Sequence, residues 1–129
     1  MIQEDKVLVI DIDGTICEIK KSDQSYLEAA PRTDMIEKIK HYKKNGYYLI
    51  YYTSRNMKTY QGNIGKLNAN TLKDLFTWMD QLEIPYDEIH VGKPWAGRNG
   101  FYIDDRAIRP NEFLQMSEFE INKLLETSP

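Results

Sequence analysis

Six residues of this chain could do chemistry together: Asp11, Asp13, Thr53, Lys93, Asp104 and Asp105. In Asp11-Ile12-Asp13-Gly14-Thr15 two carboxylates stand two residues apart, just past an apolar run. Such a pair can divide a reaction. One carboxylate attacks phosphorus and becomes an acyl phosphate. The other protonates the leaving alcohol, then takes a proton from the attacking water. Gly14 allows the sharp backbone turn that points both at one pocket. Four carboxylates in one low-dielectric cleft repel strongly, and a single lysine does not balance them. They coexist ionised only when a cation joins them. Mg²⁺ prefers oxygen ligands, keeps several waters and often bridges protein to phosphate. The cluster therefore predicts Mg²⁺, and the metal predicts an anionic oxygen ligand. Lys93 and the Thr53 hydroxyl are expected to hold the remaining phosphate oxygens.

Something must bring these residues together. Lys6–Asp11 is a continuous apolar run ending in an acid, typical of a strand buried on both faces. Tyr47–Thr53 is a second such strand, Glu88–Val91 a short third, and Phe101–Asp104 a fourth. Met35, Ile36, Ile39 and Tyr42 recur at helical spacing between Pro31 and Asn45, with Gly46 where a helix end prefers glycine. Thr71 is expected to cap a second helix with Leu72, Leu75, Phe76, Met79 and Leu82 on one face. Ser117 and Glu120 read as a capping box for a last helix carrying Ile121, Leu124 and Leu125. Residues 15–31 and 54–70 show no clear element. Alternating strands and helices predict one α/β domain over residues 1–129, with a mainly parallel sheet. Ligands of open α/β sheets bind outside the carboxyl ends of the strands. Asp11, Thr53, Asp104 and Asp105 end strands there, and Lys93 follows the third by two residues.

DIDGT resembles the first signature of the haloacid dehalogenase-like (HAD) phosphatase superfamily. Thr53 in YYTSR resembles the second, Lys93 in VGKP the third, and Asp104-Asp105 in YIDDR the fourth. They occur in the family's order, across residues 6–110. The resemblance implies a Rossmann-like HAD core with helices on both faces, and a fourth strand beside the first. It implies that Asp11 is the nucleophile and Asp13 the acid/base. It further implies Mg²⁺ held by Asp11, the Asp13 backbone carbonyl and Asp105, with Asp104 in support. TSRNMKTYQGNIGKLN, PYDEIHVGKPW and GFYIDDRAIRP resemble short bacterial HAD proteins described as capsular polysaccharide biosynthesis phosphatases. That implies a phosphorylated saccharide or capsule precursor as substrate. Segments 15–31 and 54–70 are too short for a folded cap, so no separate cap domain is expected.

Specificity is expected from segment 54–70 and the loop after Lys93. Residues 54–70 are rich in hydrogen-bonding groups, including Tyr60, Asn63, Lys66 and Asn68. The residues expected at the substrate are Gly14, Ser54, Arg55, Asn56, Lys58, Trp95 and Arg98. His41 and His90 read as surface or packing residues, and Cys17 as inert for want of a neighbouring base. The net charge of −3 at 129 residues shows no basic excess for gripping nucleic acid. One cysteine excludes an internal disulfide and suits a reducing cytoplasm. The acid-rich start and short apolar runs predict neither a signal peptide nor a membrane span. A homo-oligomer is left open.

Two other functions share parts of this pattern. A receiver-like signalling domain also gathers acids, Thr and Lys around Mg²⁺, but its acidic pair belongs to the first strand and here the pair ends the fourth. A non-catalytic phosphosugar-binding protein would tolerate loss of Asp13, which is present.

Overall fold

The apolar runs form a three-stranded parallel sheet in the order β1-β2-β3. Its strands are β1 (Val7–Ile10), β2 (Tyr48–Tyr52) and β3 (Glu88–His90). Leu8 pairs with Leu49 and Ile10 with Tyr51, and Ile50 pairs with Glu88. Paired residues of neighbouring strands share a face. Leu49 and Tyr51 are fully buried with Ile10 on one face, while Val9, on the other, is 65% exposed. The expectation of strands buried on both faces thus fails at β1. The computed structural model describes residues 4–126. Met1–Gln3, where the acid-rich start begins, and 127–129 lie outside the described residues. The chain divides between Trp95 and Ala96 into two compact units.

In the first unit, α1 (Thr33–Lys44) buries Met35, Ile36, Ile39 and Tyr42, the four residues that mark its apolar stripe in the sequence. Gly46, at φ +91°, ends it and donates to the Lys43 carbonyl. The second helical run starts earlier than Thr71. Asn63 accepts from the Lys66 amide and caps α2 (Ile64–Lys66). That turn runs through a π-type stretch, Leu67–Thr71, into α3 (Leu72–Gln81). Thr71 is therefore inside the run and buried, not a cap. Trp78 joins Leu75 and Met79 in the core and donates to the Ala29 carbonyl, whereas Phe76 and Leu82 stay partly exposed. Lys43 and the Leu49 amide both meet Asp87, tying α1 and β2 to the start of β3.

In the second unit the expected fourth strand is not formed. Phe101 and Ile103 are 78% and 91% exposed, and no strand is assigned to residues 101–104. A strand needs a neighbour's backbone groups, and an apolar run alone does not supply them. The unit's regular structure is α4 (Pro110–Gln115) and α5 (Glu118–Glu126). Sequence reading missed α4, although Pro110 opens it and the Arg109 amide donates to Glu112. The capping box of α5 is formed as expected, with reciprocal bonds between Ser117 and Glu120.

Candidate functional site

The turn after β1 is built around three side chains with no exposure: Ile12, Ile16 and Cys17. Burying each isoleucine contributes roughly 2 kcal/mol, which pins the loop from inside. The Thr15 and Ile16 amides both donate to the Ile12 carbonyl at 3.0 Å, and the Gly14 amide donates to that of Cys17 at 2.8 Å. Gly14 sits at φ +86°, where a side chain would be strained. The Thr15 hydroxyl donates to Asp11 Oδ2 at 3.0 Å and so orients that carboxylate. Burial is the main cause that pushes the Cys17 thiol up to about 12, helped by the Asp13 charge. A thiol held protonated is a poor nucleophile, in line with the inert reading.

The ends of β2 and β3 meet this turn. The Thr53 amide donates to the His90 carbonyl at 3.0 Å, and the Lys93 amide to the Thr53 carbonyl at 3.1 Å. This pair extends the parallel ladder past the strand ends and delivers the lysine. Lys93 Nζ lies 3.4 Å from Asp11 Oδ1. Gly92 precedes it at φ +86°, and a Cβ there would lie 2.9 Å from Ile64 Cδ1. Thr53 is buried, and its hydroxyl oxygen accepts from the Arg55 amide at 3.0 Å. That leaves its O–H as a donor.

Arg55 lines the groove beside Asp13, among the residues expected at the substrate, and also meets a carboxylate of the site. Its side chain is 1% exposed and forks onto Asp13, with Nη2 at 2.8 Å from Oδ1 and Nε at 3.1 Å from Oδ2. Its guanidinium also lies over the Tyr26 ring at 4.1 Å. A bidentate pair of this kind fixes orientation as well as charge. Arg55 thus positions the acid/base candidate while lining the groove beside it. Asn56 is likewise drawn inward: at φ +62° it accepts the Thr71 hydroxyl at 2.8 Å, fastening loop 54–63 to the π-type turn.

Beside Asp13 opens a groove of about 440 Å³, lined among others by Lys20, Tyr26, Ser54, Lys58 and Trp95. Lys58 Nζ lies 5.8 Å over the Trp95 ring, and Lys20 Nζ 5.1 Å over that of Tyr26. Aromatic faces flanked by cations suit an anionic ligand with an apolar or saccharide face. Ser54, Arg55, Asn56, Lys58 and Trp95, all expected at the substrate, line this groove. Arg98 belongs to an exposed turn of the second unit. Asp104 and Asp105 are also in that unit and exposed, with Asp104 accepting the Arg106 amide at 2.8 Å. Among the described residues no three His, Cys, Asp or Glu side chains gather as a metal site. The first unit thus brings together Asp11, Asp13, Thr53 and Lys93.

No family model matches the chain, and no curated protein matches it. A crystal structure of a structural-genomics target from Vibrio cholerae does match. It is 49% identical, with a TM-score of 0.89 over 94% of this chain and 97% of that one. This chain belongs to that protein's family. The name of that structure states no activity.

Three residues of the site, Lys20, Tyr26 and Thr15, escaped sequence reading. Tyr26 lies in a 3₁₀ turn, Tyr26–Glu28, within a stretch without period. Thr15 was part of the motif, yet its bond to Asp11 depends on how the turn closes. A hydroxyl four residues after an acid in a glycine turn was the available signal.

Proposed function

We propose that this chain is a Mg²⁺-dependent phosphatase of the HAD type, acting on phosphate monoesters through Asp11. The observation that carries the reading is the cluster at the strand ends. Asp11 is oriented by Thr15, stands 3.4 Å from Lys93, and is followed two residues later by a carboxylate clamped by Arg55. An Asp11 oxygen attacks phosphorus, the bond from phosphorus to the ester oxygen breaks, and the leaving oxygen takes a proton from the Asp13 carboxyl. The ionised Asp13 then takes a proton from the water that hydrolyses the acyl phosphate. Lys93 and the Thr53 hydroxyl neutralise and orient the phosphoryl oxygens.

Asp11 and the Asp13 carbonyl offer hard oxygen donors of the type Mg²⁺ selects, and Asp105, supported by Asp104, is the acid we assign to complete the set. Mg²⁺ would supply charge neutralisation on the phosphoryl group. The groove with Lys58 and Trp95 favours a phosphorylated saccharide or capsule precursor as substrate. Among the described residues no helix is long and apolar enough to cross a membrane. A lone cysteine and a phosphate-ester substrate favour a cytoplasmic reaction. The test is turnover of a panel of phosphate monoesters with and without Mg²⁺. Release of phosphate from at least one, abolished by chelator, is the expected result.

A further inference from the structure

Asp13 borders two places of different character. One is the cluster of Asp11, Thr53 and Lys93 at the strand ends, to which the phosphoryl group is assigned. The other is the groove of about 440 Å³, which Asp13 lines and which, among the described residues, Asp11 and Lys93 do not. A group that protonates a leaving oxygen must stand within hydrogen-bond reach of it. What departs with that oxygen therefore lies in the groove. A space of this size suits a small molecule.

The charges of the groove do not cancel. Arg55 is spent on Asp13, at 2.8 and 3.1 Å, so that pair is neutral. Lys20 and Lys58 remain. Among the described residues neither pairs with an acid. Each lies over an aromatic ring instead, Lys20 over Tyr26 at 5.1 Å and Lys58 over Trp95 at 5.8 Å. Two uncompensated cations in one groove stand out in a chain of net charge −3. They also come from different segments, one before α1 and one after β2. Arg55 adds to the imbalance. Its Nη1 is buried and has no acceptor among the described residues. A buried guanidinium nitrogen left unpaired is costly, and an anion close by offsets that cost.

We propose that the groove selects a leaving group that is itself an acid, a saccharide-sized alcohol carrying a second oxyanion between Lys20 and Lys58. Lysines act as compact point charges, so a carboxylate and a phosphate present them with the same chemistry. Tyr26 and Trp95 offer faces for the apolar side of such a ligand. Hydrolysis with one water would release inorganic phosphate and the acidic alcohol that the groove held. That step rests on the phosphatase reading, whereas the preference for a second anion does not.

Glucose 6-phosphate, 6-phosphogluconate and glucose 1,6-bisphosphate test it, with a neutral, a carboxylate-bearing and a phosphate-bearing leaving group. Calorimetry on Asp11→Asn chains reads affinity without turnover, and phosphate release by the unaltered chain reads kcat/KM. At low ionic strength at least one acidic probe should bind about tenfold tighter than glucose 6-phosphate, with a matching advantage in kcat/KM. The better of the two identifies the second anion. Salt should shrink the advantage. The double variant Lys20→Gln, Lys58→Gln should bring it near one, and Lys20→Glu, Lys58→Glu should reverse it. Neither lysine is buried, so these changes leave the core intact. Equal affinities overturn the proposal. So does failure of both acidic probes to bind, or an advantage that survives loss of both lysines. A binding advantage with no phosphate released by the unaltered chain would sink the phosphatase reading and leave the groove's selectivity standing. Turnover of all three probes at equal kcat/KM and equal affinity would do the reverse.

Discussion

The turn after β1 and the segment after Gly100 hold the same kind of group, a carboxylate at the end of an apolar run, and they are built differently. Around Asp11 and Asp13, buried Ile12 and Ile16, the Thr15 hydroxyl and the Arg55 fork fix each oxygen. Around Asp104 and Asp105 the apolar residues are exposed, and the bond that orients Asp104 comes from the Arg106 amide. The first pair is organised by its own unit before any ligand arrives. Preorganised groups need no rearrangement during reaction, which is where much of an enzyme's acceleration comes from. The difference teaches that a strand-end acid becomes a site only when the strand has neighbours.

Substitutions can break that comparison. Asp13→Ala should slow turnover by a factor of roughly 10² or more, and most for poor leaving groups that need protonation. Steady-state rates on alkyl and aryl phosphates check it, and wild-type rates on the alkyl ester would remove Asp13 from proton transfer. Arg55→Ala should cost a factor of roughly 10–10² on small and large esters alike, because it misplaces Asp13. Arg55→Lys should rescue little, since a point charge cannot reproduce the two-pronged contact. A loss confined to large substrates would return Arg55 to substrate binding.

Much of the first unit was legible in the sequence. Strands β1 to β3, the stripe of α1 and the positions of Asp11, Thr53 and Lys93 follow from apolar runs and parallel strand ends. The pattern of Phe101–Asp104 was equally strong and misled, since periodicity reports burial potential and not the partner that realises it. That Arg55 forks onto Asp13 was not legible in the sequence. Its burial depends on Asp13, 42 residues away in sequence. Asn63 as a cap was hidden by the π-type turn, which breaks the 3.6-residue period between it and Leu75.

Smaller effects sharpen the contrast further. Asp105→Ala should weaken the Mg²⁺ dependence of turnover more than Asp104→Ala does. The reverse order in a Mg²⁺ titration would exchange their roles. Trp95→Ala should reduce kcat/KM for a saccharide phosphate by about tenfold and spare a small generic ester, since remote contacts are lost only by a substrate that makes them. Equal losses would remove the groove from specificity. Cys17 should resist alkylation at neutral pH until the protein unfolds. Its proton is held to about 12 in the folded state, against an ordinary value of 9.0. The stabilisation linked to that proton is complete below pH 9 and is lost as the pH rises from there toward 12. Mass spectrometry after iodoacetamide treatment, with and without urea, reads the protection directly.

The most direct test of the central claim compares the unaltered chain with Asp11→Asn on one phosphate monoester that the former turns over. An amide cannot form the acyl phosphate, so phosphate release should vanish while the variant keeps its circular dichroism spectrum and melting temperature. Undiminished release by a folded Asp11→Asn protein would contradict the account.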